Sequence, residues 1–453
     1  MSDSSCSEIP AASPSAPSWL ERRFALSARG SSPRIECLAG LTSFMACAYL
    51  VVVIPGLLAA GGMNPGAATS AVILLFALGS ALMGLYGNLP FIVGPGVGGS
   101  ALIGVTLAAS EHVAWPVGLG IAFWSGVLFM LLTALRLRAV VTRAFPLQLK
   151  LGLTAAIGLF VTMLALRNAG LVAVNVKTNA LMLGNFTAPG ARVALAGLAL
   201  GVFLQARRIP GAILWAILGA SLLGVPLGVT RLPPTLFAWP HSVSPLLLAF
   251  DPLAALHVAF LPYLFIFFAA EFFSTMGTTL AVGDKAGLLD ANGNMAQINT
   301  PFVVDSIAAT VGSMVGVPAL TSLIESAAGV EVGGRTGLTA VAAALCFLLL
   351  LLFTPVALMI PREATAPALL LIGLSMFSGL RRVDLEDFST SVPVLLMALL
   401  TLASNNLGTG IAGGVLCYVS VKLLAGRRRD IPPGLYVVAL PMAAYFWTVI
   451  AHH

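Results

Sequence analysis

The chain has 453 residues, 58% hydrophobic and 9% charged, with a net charge of +6. Soluble domains carry about 25% charged residues, so this balance excludes an ordinary soluble enzyme, a disordered protein and a nucleic-acid binder. Much of the surface is left to face lipid. Its 46 Gly and 28 Pro suit broken or closely packed membrane helices, which tolerate both. Of the cysteines, Cys6 lies in a polar tail, and Cys37, Cys47, Cys346 and Cys417 lie in or beside apolar stretches. They form no CxxC pair, so neither a zinc site nor a disulfide framework is expected.

Residues 1–30 are rich in Ser, Pro and Ala, lack a basic start followed by an apolar core, and read as a disordered cytoplasmic tail and not a signal peptide. A spanning helix needs about 20 mostly apolar residues. Candidates follow in order at 37–60, 68–86, 93–109, 114–135, 147–167, 191–206, 209–225, 253–283, 301–317, 319–333, 336–358, 364–379, 389–404, 407–424 and 434–450. Basic residues set the orientation. Arg22, Arg23, Arg29 and Arg34, then Arg136, Arg138, Arg143 and Lys150, then Arg207 and Arg208, then Lys285, Arg335, Arg381 and Arg382 all fall on one side, the cytoplasm, if each segment crosses once. Arg427, Arg428 and Arg429 join them if 389–424 crosses twice, turning near Asn405 and Asn406. The last segment, 434–450, is either a further span or an interfacial helix bearing Pro441, Tyr445 and Trp447.

Fourteen spans divide into two sevens, and an odd repeat places its second copy upside down. In both halves the third segment is short and opened by Gly and Pro: Val93-Gly94-Pro95-Gly96 and Gly316-Val317-Pro318. Such a pair points to a midplane binding site.

Ionisable residues deep in apolar sequence are functional candidates. Glu271 lies far from either end of its span, without Lys or Arg within one helical turn. It is either a structural carboxyl or one that binds substrate or carries a proton. Glu325 follows Pro318, which places Thr321 and Ser322 near a helix start and Glu325 one turn further. It is either held by its own helix start or adds an acceptor beside the free N–H donors there. Asp305, early in its span, is either a cap or a gating carboxyl. Asp284, Lys285 and the Asp290-Ala291-Asn292-Gly293 turn read as a solvated loop, and His112, His257, His452 and His453 sit in loops or at ends. A Walker A motif and a metal cluster are both missing from the sequence, which argues against an ATP-driven pump and against a metal site or cofactor.

The runs Phe272-Phe273-Ser274-Thr275-Met276-Gly277-Thr278, Ala286-Gly287-Leu288-Leu289-Asp290, Ile324-Glu325-Ser326-Ala327-Ala328-Gly329-Val330 and Gly333-Gly334-Arg335-Thr336-Gly337-Leu338-Thr339-Ala340 resemble the second-half signature of the hypoxanthine/guanine/adenine permease branch of the nucleobase–cation symporters. Asn88-Leu89-Pro90 with Gly94-Pro95-Gly96-Val97-Gly98 resembles the first-half signature, and Ala364-Thr365-Ala366-Pro367-Ala368-Leu369 a third block. The resemblance implies an all-α polytopic membrane protein of about 14 transmembrane segments in two inverted seven-segment repeats, with segments 3 and 10 as half-helices behind short strands. It implies a tail over 1–34, a core domain over 35–135 and 251–358, and a gate domain over 136–250 and 359–453. Homodimers and proton symport are also implied.

Glu271 and Glu325 match the family's acidic positions in segments eight and ten. The chain departs at Ser274, where the family has Asp, and at Ser100, where it has Asn; Val317-Pro318-Ala319-Leu320 replaces a Thr/Ser-rich run. The expected site is therefore Glu271, Glu325, Ser274, Ser100, Thr321 and Ser322, walled by Phe272 or Phe273, with Glu271 and Asp305 as proton-coupling candidates. The expected function is proton-coupled import of a nucleobase, most readily a purine, by alternating access through a multi-pass protein of the bacterial inner membrane with a cytoplasmic N-terminus. An organic anion on the same fold is the alternative. A non-transporting receptor and a membrane enzyme are argued against by the deep carboxyls and by the absence of a nucleophile–base pair.

Overall fold

The computed structural model describes residues 19–137, 146–174, 181–290, 295–404 and 406–451. Residues 1–18 of the tail, Arg138, Arg143, Ala291, Asn292, Gly293, Asn405 and the two terminal histidines lie outside them.

Every apolar segment read from the sequence becomes a helix, or a strand and a short helix. After a short helix α1 (Trp19–Phe24) come α2 (Pro33–Cys47) and α3 (Leu50–Ala60), one span bent at Ala48 and Tyr49, then α4 (Pro65–Leu82), which continues as a π-helical turn over Met83–Gly87. Strand β1 (Val93–Pro95) leads into α5 (Val97–Ala101), extended by a π-helical stretch over Leu102–Ser110. Next are α6 (Trp115–Ala134), α7 (Leu147–Asn168), a hairpin of β2 (Val172–Val174) and β3 (Leu181–Leu183), α8 (Pro189–Ala206) and α9 (Ala212–Gly224). The second half has α10 (Leu261–Lys285), α11 (Asn299–Val315), β4 (Leu320–Ser322), α12 (Ala327–Glu331) behind a 3-10 turn at Ile324–Ser326, α13 (Gly337–Leu350), α14 (Thr354–Leu358), α15 (Arg362–Met376), α16 (Phe388–Ser404), α17 (Leu407–Leu424) and α18 (Pro433–Ala451). Among the described residues eight helices are long and apolar enough to span a bilayer unaided.

Local chemistry sets the helix starts. The Ser32 hydroxyl accepts from the Ile35 N–H ahead of Pro33, and the Asn64 side chain accepts from the Ala67 N–H ahead of Pro65. A side-chain acceptor satisfies an orphan donor, and Pro at the first position loses no bond.

Two helix groups emerge. In one, α13 packs on α2 and α4, and α6 packs on α10 and α11. In the other, α7 packs on α15 and α16, α8 on α9 and α15, and α16 on α17. Strands β1 and β4 join the two halves of the first group. They pair antiparallel, Val93 with Ser322, Gly94 with Thr321 and Pro95 with Leu320. The Gly96 N–H donates to the Ala319 carbonyl at 3.0 Å, and the Leu323 N–H to that of Ile92 at 2.9 Å. Polar backbone left unpaired in lipid costs several kcal/mol, and this crossing leaves little unpaired. The close approach requires glycine: a Cβ on Gly94 would lie 2.1 Å from the Phe76 ring, and one on Gly99 would lie 2.4 Å from the Ala319 Cβ.

Several of the basic residues near segment ends are tied to neighbouring segments. The Arg29 guanidinium donates to the carbonyls of Asn88 (2.7 Å) and Arg335 (3.0 Å), and Lys285 pairs with Glu331. Asp387 accepts from Lys422 at 3.2 Å and from Arg427 at 3.1 Å, so 388–424 is a helical hairpin turning at Asn406. Helix α18 returns beside α17, and its Tyr445 hydroxyl lies 3.1 Å from Thr409 at the start of α17. It therefore runs the length of α17 and does not lie flat at an interface.

Gly94→Ala should lower the detergent melting temperature, at a cost of about 1–3 kcal/mol for overpacking, and Phe76→Leu should restore part of it. The hydroxyl of Ser389, and after it the Lys422 ammonium, hold the Asp387 carboxyl below its usual range. A depressed carboxyl stabilises the fold above its unfolded pKa, about 4, and loses this as pH falls through its folded value. Melting temperature should thus drop with acidification below about pH 4, and Asp387→Asn should flatten that drop.

Candidate functional site

Helix α10 carries one face of Phe267, Glu271 and Thr275, spaced by single turns. The Phe267 ring lies against Gly99 of the first half-helix, 3.3 Å from where a Cβ would sit. The Thr275 hydroxyl donates to Asp305 at 2.6 Å. Asp305 in turn accepts from the Ser322 N–H at 2.7 Å and the Ser322 hydroxyl at 3.0 Å. Glu271 therefore sits between a contact with one half-helix and a tie to the strand of the other. It is 1% exposed. One carboxylate oxygen accepts from the Ser125 hydroxyl of α6 at 3.2 Å; the other is buried with no hydrogen-bond partner among the described residues. Such an atom is rare and marks where a ligand, water or proton belongs.

Glu325 stands in the turn that opens the second half-helix and accepts from the Tyr49 hydroxyl at 2.7 Å. Tyr49 is buried at the bend between α2 and α3, so the break in the first span aims a hydroxyl at the acid. Ser100 is buried in the first half-helix, its hydroxyl donating to the Gly96 carbonyl at 3.0 Å. Ser274 is exposed beside Phe273, and the Lys150 ammonium of α7 lies 4.4 Å from the Phe273 ring centre.

Four expectations change. Thr321 and Ser322 are not at a helix start: both lie in β4, and the helix begins only at Ile324. Pro318 is followed by strand because Thr321 and Leu320 are claimed by pairing with Gly94 and Pro95. Asp305 is neither a helix cap nor a free gating group; it lies inside α11 and holds β4 to α10. Phe272, expected as a wall, packs into an aromatic cluster with Phe129, Phe268 and Phe302, at ring distances of 5.7, 5.5 and 5.2 Å. Phe267 takes the place at the crossing instead.

The Gly333–Ala340 run has a structural task. Buried Glu36 accepts from the N–H groups of Arg335 (3.0 Å) and Thr336 (3.3 Å) and from the Thr339 hydroxyl. The Asn88 side chain accepts from the Gly337 N–H at 2.8 Å and donates to the Phe24 carbonyl at 3.0 Å. Glu36, Tyr49, Ser125 and Thr275 were not singled out from sequence. Glu36 had a signal, an acid at a span start, whereas lone Tyr, Ser and Thr residues carry none. Among the described residues no group of three or more His, Cys, Asp or Glu side chains is placed to hold a metal.

A family model described as Permease family (Xan_ur_permease) matches residues 34–411. The chain belongs to that permease family. A putative permease of Methanocaldococcus jannaschii is 35% identical over 94% of this chain and 98% of its own length. The adenine permease AdeP of Escherichia coli K12 is 36% identical over 93% of this chain and 94% of itself, and the guanine/hypoxanthine permease GhxP of E. coli O157:H7 is 34% identical over 94% and 96%. Among solved structures, the transmembrane domain of the cyanobacterial bicarbonate transporter BicA superposes with a TM-score of 0.62 at 16% identity, covering 82% of this chain and 96% of that one. SLC26A9 superposes with a TM-score of 0.61 at 14% identity, covering 86% and 65%. These two likenesses concern the fold. This permease is thus a multi-pass membrane protein, and its relatives are transporters and not enzymes.

In this permease, Asp305→Ala leaves three buried donors unpaired and should cost about 1–3 kcal/mol or more, read as a lower detergent melting temperature. Asp305→Asn keeps an acceptor oxygen and should lose less. Equal losses would mean that the Ser322 and Thr275 bonds do not hold the crossing.

Proposed function

We propose that this permease is a secondary transporter of a purine nucleobase in the bacterial inner membrane. The observation that carries this reading is the placement of Glu325 at the start of the second half-helix and of Glu271 on α10 beside the crossing, where β1 and β4 tie the two half-helix starts together. The half-helix starts offer N–H donors, and the carboxylates offer acceptors. A planar ring bearing both N–H and C=O groups satisfies both kinds. The names of the adenine and guanine/hypoxanthine permease relatives support a purine.

The packing supports two inverted seven-segment repeats. Helix α4 lies against β1 as α11 lies against β4; α13 packs on α2 and α4 as α6 packs on α10 and α11; α8 packs on α15 as α16 packs on α7. On this reading residues 35–135 and 251–358 form a core that carries substrate, and 136–250 and 359–453 form a gate against which it moves. The core rides past the gate in an elevator motion, coupled to a proton held on Glu271, with basic loops and the N-terminus in the cytoplasm and two chains forming a dimer. Asp305, fully engaged by Ser322 and Thr275, is a poorer proton carrier than Glu271.

A second reading, an organic anion as substrate, draws on the Lys150 ammonium over the Phe273 ring beside exposed Ser274.

Uptake into proteoliposomes should be seen with adenine, guanine or hypoxanthine and should rise with an inward proton gradient. A charge-assisted hydrogen bond is worth about 1.5–3 kcal/mol, so Glu325→Gln and Glu271→Gln should each cut purine uptake at least about tenfold. Tyr49→Phe, which frees Glu325 from its partner, should change the KM more than the maximal rate. Uptake of organic anions alone, or wild-type purine uptake by Glu325→Gln, would overturn the nucleobase assignment.

A further inference from the structure

At the end of the molecule opposite Arg29, Asn88 and Arg335, five polar side chains from four elements meet. Glu111 follows the first half-helix, Tyr263 stands in the first turn of α10, Asn406 and Thr409 open α17, and Tyr445 comes from α18. One Glu111 oxygen accepts from the Tyr263 hydroxyl, the Asn406 amide and, at 3.3 Å, the Tyr445 hydroxyl. The Tyr263 and Tyr445 hydroxyls lie 3.0 Å apart, and Tyr445 is 3.1 Å from Thr409. The Asn406 carbonyl oxygen accepts from the Thr409 N–H at 3.2 Å, capping α17. Tyr263 reaches this place only because residue 408 is glycine: a Cβ there would lie 2.5 Å from its ring. Tyr263, Asn406, Thr409 and Tyr445 are buried, in contacts that are otherwise apolar.

We propose that Glu111, Tyr263, Asn406 and Tyr445 form a latch that shuts the substrate path at this far end and parts once in each transport cycle. The inference rests on the transporter reading above. Glu111 caps the end of the half-helix that carries Ser100, and Tyr263 belongs to the helix that carries Glu271; Asn406, Thr409 and Tyr445 belong to the hairpin and the final helix packed beside them. All three partners of the Glu111 oxygen donate, which suits an ionised carboxylate, an acceptor only. Hydrogen bonds to an ionised group are the strong ones, yet each is short-ranged and lost within an ångström or two of separation. Several such bonds converging on one oxygen form and break together, as a closure between moving bodies requires. The same two helix groups also meet elsewhere, α7 against α5 and α10 and α9 against α2, with the Lys150 ammonium over the Phe273 ring. On this reading the hydrogen-bonded cluster fastens the far end in this conformation, and the site around Ser274 and Glu325 is reached from the basic end.

The test uses purified full-length protein in detergent, with its native cysteines replaced and one reporter cysteine added. Leu107→Cys lies buried one turn below Glu111, and Ser274→Cys lies exposed at the site. Each is labelled with a water-soluble maleimide in the absence of substrate. Tyr445→Phe, which deletes one hydroxyl and keeps the ring, and Asn406→Ala should each raise the labelling rate at residue 107 at least about fivefold and lower it at residue 274. Unchanged labelling at 107 would overturn the latch. Faster labelling at both positions would also overturn it, because that is the signature of a loosened fold. The readout needs no transported solute, so a failed purine assignment and a failed latch are separate results.

Discussion

The constraint on which this molecule depends is that backbone polar groups in lipid must find partners within the protein. Two interrupted segments cannot meet it alone, since a strand and a half-helix each leave donors and acceptors open. They meet it together. β1 and β4 pair through Val93–Ser322, Gly94–Thr321 and Pro95–Leu320. Side chains complete the set: the Ser80 hydroxyl accepts from the Val93 N–H at 3.1 Å, the Ser326 hydroxyl from the Ile92 N–H at 2.9 Å, and Asp305 from the Ser322 N–H. The crossing is therefore largely closed by these bonds, and the two half-helices begin beside it. Gly94 and Gly99 are the geometric requirement, because the strand and half-helix run against Phe76 and Ala319 with no room for a Cβ.

The run that marks the family and the residues of the candidate site are largely different sets. The Gly333–Ala340 run is spent on Glu36 and Asn88, which bind the starts of α2 and α13 and the end of α4 into one clasp. Its glycines serve approach: a Cβ on Gly337 would lie 2.1 Å from the Gly84 carbonyl oxygen. A motif that builds the frame is retained whatever the frame carries. Outside that clasp, at Ser274 and Ser100, this chain departs from the resemblance that its frame supports.

The spans were legible because hydropathy and length suffice to find them, and because basic loops mark their ends; Arg29, Asn88 and Arg335 meet at one end as the charge pattern requires. The Gly/Pro interruptions gave the two half-helices. Pairing was not legible, since the partner of Thr321 is Gly94, more than two hundred residues away, and local sequence at Pro318 favours a helix start just as well. Phe272 and Phe267 could not be ranked because both are apolar and buried; only the helical phase relative to Phe129 and Gly99 separates them. Tyr49 and Asp305 show the same limit from two sides. A tyrosine in an apolar span carries no charge to flag it, and a carboxyl that is flagged gives no hint that its bonds are structural.

The three deep carboxyls divide by what already binds them. Asp305 takes three donors through its two oxygens and has little left to offer. Glu325 accepts from the Tyr49 hydroxyl in the half-buried turn at the helix start. Glu271 takes one hydroxyl on one oxygen and leaves the other, in the interior, without a partner among the described residues. A buried, unpartnered carboxylate oxygen costs the fold free energy. A ligand N–H or a bound proton removes that cost, and release of either restores it. Glu325 is thus suited to orient a solute that comes and goes at an accessible turn, whereas Glu271, enclosed and incompletely satisfied, is suited to couple occupancy of the crossing to the state of the helices around it.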